Sequence, residues 1–114
     1  MKTYNLEERT FQFGKECVLI VKSMTKNIIT LEFGKQLVRA GCSVGANYIE
    51  ANEALGEKDF RMHIKICRKE AKESAYWLRM LKETELFGKV EQINMLIKES
   101  TELRNIFSSI LNKN

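Results

Sequence analysis

The chain has 114 residues, of which 44% are hydrophobic and 30% charged, with a formal net charge of +4 and a single histidine. That length suits one domain over residues 1–114 with a modest core, and the balance of apolar and charged residues excludes a disordered chain. The longest apolar run, Cys17 to Val21, has five residues, against about 20 for a membrane-spanning helix, so no membrane partner is expected.

Glu7, Glu8 and Glu16 lie ahead of or within the first apolar stretch, which is unlike a secretory signal; a cytoplasmic location is therefore expected. Cys17, Cys42 and Cys67 sit among apolar neighbours on three different segments, the pattern of reduced, buried thiols. With no CxxC pair and only His63 among the histidines, a metal site is not expected. The basic balance favours anionic partners only if the charge is concentrated on one surface.

No proline occurs, so only glycine and polar clusters interrupt helices. In the first segment Leu6, Phe13, Cys17, Ile20 and Met24 recur on one helical face. Ser23 to Thr30 reads as the first connection, with Thr30 as N-cap of the next helix. That second helix is expected from about Leu31 to Leu55, with Phe33, Leu37, Ala40, Val44, Ala51 and Leu55 inward. Gly41 and Gly45 within it each cost roughly 1 kcal/mol of helix stability relative to alanine. Such a cost implies packing that only small residues allow. Asn47, beside the apolar stripe, is read as a buried hydrogen bonder that fixes register.

Gly56 is read as the left-handed C-cap that ends the second helix. In the third, Phe60, Ile64, Cys67, Ala71, Ser74, Leu78 and Leu81 are spaced 4, 3, 4, 3, 4 and 3, a heptad pattern suited to antiparallel packing. Tyr76, Trp77 and Met80 add a second apolar face. Gly88 closes the last connection, and a fourth helix runs from about Val90 to Leu111 with Ile93, Leu96, Ile97, Leu103, Phe107 and Ile110 inward. Short links between four amphipathic helices give an all-α, antiparallel up-down-up-down four-helix bundle.

The outer face of the third helix is the one concentrated charge. Its outermost heptad positions carry Lys58, Arg61, Lys65, Arg68, Lys72, Ala75, Arg79 and Lys82, seven of eight basic, along about 36 Å of helix. A solvated helix face usually mixes signs for i,i+4 pairing. Here Glu57 is placed to pair with Arg61, Glu73 with Lys69 and Glu83 with Arg79, whereas Lys58, Lys65, Arg68 and Lys72 have no acid three or four positions away. Glu50 and Glu53 are their possible internal partners; a neighbouring subunit or a nucleic-acid backbone are the others. Lys58, Arg61, Lys65, Arg68, Lys69 and Lys72 are the nucleic-acid-binding candidates. Phosphate contacts by such residues weaken steeply with salt, and no sequence-reading motif accompanies them.

No catalytic constellation emerges. Glu50, Glu53, Glu70 and Glu73 are ordinary helical glutamates, one histidine cannot assemble a nucleophilic triad, and the six glycines form no phosphate-binding loop. No enzyme activity and no cofactor are expected.

The segments SVGANYIEA (Ser43 to Ala51), KDF (Lys58 to Phe60) and KEAKESAYWLRML (Lys69 to Leu81) resemble the 23S rRNA intervening-sequence family, also called S23 ribosomal protein-like. Ser43, Asn47, Glu50, Asp59, Phe60, Glu70, Glu73, Tyr76 and Trp77 carry the resemblance in this order. It implies a small bacterial four-helix bundle that assembles as a homopentamer with a central channel. Some relatives are encoded within sequences inserted in 23S rRNA genes, and a distant branch, the accessory proteins of diversity-generating retroelements, is thought to contact nucleic acid and reverse transcriptase. The resemblance brings no catalytic residue. Where relatives commonly have arginine within Asn-Tyr-Arg-Glu-Ala this chain has Ile49, and where they have Arg-Ser it has Leu55 and Gly56. Those losses leave the third-helix face as the candidate anion surface. The expected function is a non-enzymatic, self-associating bundle that binds RNA or DNA through that face, with pure assembly as the alternative.

Overall fold

A computed structural model describes residues 5–84 and 88–113. It contains α1 (Leu6–Lys22), α2 (Ile28–Asn52), α3 (Glu57–Thr84) and α4 (Val90–Asn112), and among the described residues there is no strand. The helices form the antiparallel up-down-up-down bundle. α2 packs on α1 and α3, α4 packs on α3, and α1 touches α4 only lightly.

Local chemistry sets the helix ends. The Asn5 side chain accepts from the Glu8 N–H at 2.7 Å, and Glu7 and Glu8 place negative charge at the positive end of α1. α2 begins at Ile28, three residues before the expected start. Asn27 is its N-cap and Thr30 the third helical residue: Asn27 accepts from the Ile29 and Thr30 N–H groups, and its own N–H donates to the Thr30 hydroxyl. Asparagine's carbonyl reaches those orphan donors better than threonine does.

The far end also differs. α2 stops at Asn52 with Glu53 as C-cap. Gly56, the one described residue with positive φ (+103°), opens α3 instead of closing α2, because its carbonyl accepts the Phe60 N–H. Leu55 therefore leaves the helix and the core; its N–H donates to the Asp59 carboxylate and the residue is 92% exposed.

The core runs the length of the bundle. Phe13, Cys17 and Ile20 from α1 meet Leu37, Val44 and Ala51 from α2. Ile64, Cys67, Ala71, Ser74, Leu78 and Leu81 of the heptad stripe are all buried, and Phe60 is half-buried at its end. From α4 come Ile93, Leu96, Leu103, Phe107 and Leu111; Ile97 and Ile110 flank them, half-buried. Each large aliphatic contributes roughly 2 kcal/mol of burial. Ser74, within the stripe, donates to the Glu70 carbonyl at 2.8 Å.

The small-residue stretch of α2 brings α1 close. A Cβ on Gly41 would stand 2.8 Å from Cys17 Sγ, one on Gly45 would stand 3.2 Å from Thr10 Oγ1, and one on Gly14 would stand 3.3 Å from the Gly41 carbonyl oxygen. Cys17 and Cys67 are buried as expected, but Cys42 is exposed, because it faces the groove between α1 and α2 rather than the bundle axis. Asn47 does not bridge helices as expected; it donates to the Ser43 carbonyl one turn back.

Candidate nucleic-acid interface

α3 is packed on both flanks, by α2 and by α4, and this sets which of its cations face outward. Glu70 joins the buried arc, so the exposed line runs through Lys58, Met62, Lys65, Lys69, Lys72, Tyr76, Arg79 and Glu83. Arg61 and Arg68 are half-buried beside it, as are Ala75 and Lys82. Arg61 borders Ile110 and Leu111 of α4. The outer line is thus basic but not purely so: Met62 and Tyr76 interrupt it.

Among the described residues none of Lys58, Arg61, Lys65, Arg68, Lys69 and Lys72 has an ion-pair partner. The pairs expected within the helix, Glu57 with Arg61, Glu73 with Lys69 and Glu83 with Arg79, do not form. Glu50 and Glu53 also stay apart from the stripe. Six cations therefore follow one another from Lys58 to Lys72, about 21 Å of helix, without a neutralising acid.

Arg39 of α2 accounts for much of this. Its guanidinium holds Glu70 at 3.3 Å and also binds Glu73. Glu70 has a side chain only 10% exposed, so the pairing keeps a nearly buried carboxylate satisfied. Both acids are thereby drawn toward α2 and away from the basic line. This pairing is not legible in the sequence, since a cross-helix partner thirty-one residues distant leaves no periodic mark.

Glu73 also accepts from Trp77 Nε1 at 3.3 Å, and the Trp77 ring lies 5.7 Å from Phe33 of α2. Tyr76 meets Trp77 edge-on at 5.0 Å and is 56% exposed. Trp77 is thus a packing residue, and Tyr76 alone presents an open ring on the basic face.

A second pair of acids, also unpredicted, closes the light contact between α1 and α4. Arg9 donates to Glu99 from Nε and Nη2 at 2.7 and 2.8 Å and to Glu102 at 2.9 Å. The hydrogen bond to Glu99 leads in holding the Arg9 guanidinium above its ordinary pKa, against the opposing effect of burial. Burial pushes the Cys17 and Cys67 thiols up to about 12, which makes them inert at neutral pH. Among the described residues no group of histidine, cysteine and carboxylate side chains is placed to hold a metal ion. No helix among them is long and apolar enough to cross a membrane.

Three comparisons bear on identity. The sequence profile described as 23S rRNA-intervening sequence protein matches residues 2–109. No curated protein matches the chain. A solved structure from Bacteroides thetaiotaomicron VPI-5482, described as a protein of unknown function from the S23 ribosomal protein family, is similar with a TM-score of 0.82 at 30% sequence identity, covering 96% of this chain and 100% of that one. Four helices in the same arrangement and a profile match along nearly the whole length lead to one conclusion: the chain belongs to the 23S rRNA-intervening sequence protein family.

Proposed function

We propose that this protein is a non-enzymatic, self-associating helical bundle of the cytoplasm whose assembly presents the basic face of α3 to structured RNA. The observation that carries the reading is the run of unpaired cations from Lys58 to Lys72, with Lys65, Lys69 and Lys72 exposed and Arg68 beside them. A phosphate backbone is the natural counter-charge for such a line, and Tyr76 offers a stacking surface at its far end. A homopentamer, as the family resemblance implies, would repeat that line around a ring and raise binding through multivalency. The carboxylates nearest the face support a binding role over a catalytic one, because Glu70 and Glu73 are tied to Arg39.

Retention of total bacterial RNA by the purified protein, at low and high salt, tests the reading. The triple reversal Lys65→Glu, Arg68→Glu and Lys72→Glu is expected to abolish retention while leaving the helical circular dichroism and the assembled mass unchanged. Undiminished retention by that variant rejects the α3 face as the RNA surface.

A further inference from the structure

We infer that Arg104 of α4 completes the RNA surface: with Arg68 of α3 it forms a two-sided clamp for one phosphate of an RNA strand lying in the groove between α3 and α4. The inference rests on the RNA reading proposed above and adds to it a residue from a second helix.

The two flanks of α3 are told apart by their neighbours. Glu70, Glu73 and Trp77 turn toward α2, where Arg39 and Phe33 meet them. On the other flank the half-buried residues Arg61, Arg68, Ala75 and Lys82 recur every seven positions, a step that keeps them on nearly the same face. Arg61, the first of them, borders Ile110 and Leu111 of α4. Arg68 therefore lies against α4 as Arg61 does.

α4 is sorted in the same way. Glu99 and Glu102 mark its α1 side, where Arg9 holds them. Ile97, Arg104 and Ser108 are half-buried on the opposite flank, which faces α3. The level follows because α3 and α4 are antiparallel. Seven residues onward from Arg61 and seven back from Leu111 lead to Arg68 and Arg104. The two arginines thus stand across the groove from each other.

Among the described residues neither makes an ion pair or a side-chain hydrogen bond. Lys65 and Lys72 border the groove from the crest of α3 and add to its charge. Glu57 stands at one end, beside Arg61, and Glu83 lies beyond Lys82 at the other. Between those ends the two flanks carry no carboxylate. Two half-buried like charges at one level repel, and an anion between them removes that cost. Phosphate fits best, because each planar guanidinium can grip two of its oxygens. Ser108, one turn from Arg104, has a hydroxyl free to donate as well, whereas the Thr101 hydroxyl is already given to the Ile97 carbonyl. Packed helix axes lie about 8–10 Å apart, so the groove admits one sugar–phosphate strand and holds it without reading bases.

The test is binding of a fluorescent RNA to the full-length protein across a salt series, with circular dichroism as the folding control. Arg104→Gln and Arg68→Gln are each expected to weaken binding about tenfold at low salt. Each should also flatten the slope of log affinity against log salt by about 0.7 to 0.9. Because both arginines grip one phosphate, the double variant is expected to lose far less than the roughly hundredfold of independent contacts. Without RNA, Arg104→Gln is expected to raise the urea midpoint by relieving the repulsion.

Undiminished binding by Arg104→Gln, with retention still abolished by the triple α3 reversal, overturns the clamp and leaves the α3 reading standing. Losses that multiply in the double variant overturn the shared phosphate, and a lowered urea midpoint overturns the facing arrangement. A nucleoside monophosphate bound as tightly as the RNA overturns a strand as the occupant. Wild-type protein that binds no RNA overturns both this inference and the reading on which it rests.

Discussion

Arg39 shapes the basic face of α3 without belonging to it. By holding Glu70 and Glu73 it removes the two acids that would otherwise lie nearest Lys69 and Lys72. Arg39→Ala should leave Glu70 nearly buried without its charged partner and cost about 1.5 kcal/mol, discounted for the half-open guanidinium, which a urea titration would measure. Arg39→Lys should recover only part, because a lysine ammonium lacks the planar fork that reaches both carboxylates.

The cysteines give a pH prediction at the same scale. Folded Cys17 and Cys67 keep their protons up to about pH 12, whereas in the unfolded chain a thiol loses its proton near the ordinary value of 9.0. Below that value both states are protonated and stability does not depend on these groups. Above it the unfolded state sheds protons first, so their contribution to stability falls as pH rises from about 9 towards 12. Urea midpoints on either side of pH 9 should show the decline, and Cys17→Ala should flatten it. The burial of Cys17 and Cys67 was legible from their apolar neighbours; the exposure of Cys42 was not, because it depends on where α1 stops covering α2.

At the scale of the element, α2 is the most constrained helix, since glycine takes positions where α1 leaves no room. Gly41→Ala gains about 1 kcal/mol of helix propensity but drives a methyl to 2.8 Å from Cys17 Sγ, an overpacking cost of about 1–3 kcal/mol. A net loss of thermal stability is expected. Gly88→Ala, which meets nothing within 4 Å, should be close to neutral and serves as the control. The alternating spacing in α3 was readable because a helix packed against others along its whole length must repeat its apolar residues. Helix ends were less readable. Asn27 and Thr30 are both good caps by residue type, and only the reciprocal bonds between them decide which is the cap. Leu55 was misassigned for a related reason: an apolar residue one step before glycine fits the end of a helix by pattern, but α2 had already stopped at Asn52.

Across the whole molecule the charges are unevenly spread. Among the described residues an unbroken series of six unpaired cations lies along α3 from Lys58 to Lys72, while other unpaired charges of both signs are scattered over α1, α2 and α4. Because α1 barely touches α4, the bundle is closed on that side largely by Arg9 with Glu99 and Glu102. Among the described residues the ion pairs that cross between helices hold α1 to α4 and α2 to α3, and none of them engages the cations from Lys58 to Lys72.

By itself the sequence determined the fold class, the four helices, most of the core and the family. Each of these rests on repetition within a helix or on a short motif, and such signals are local. The tertiary structure decided which charges are paired and which apolar side chains face water. Those properties depend on pairs such as Arg39 with Glu70, or Arg9 with Glu99, that are distant in the chain and are brought together only when the helices pack.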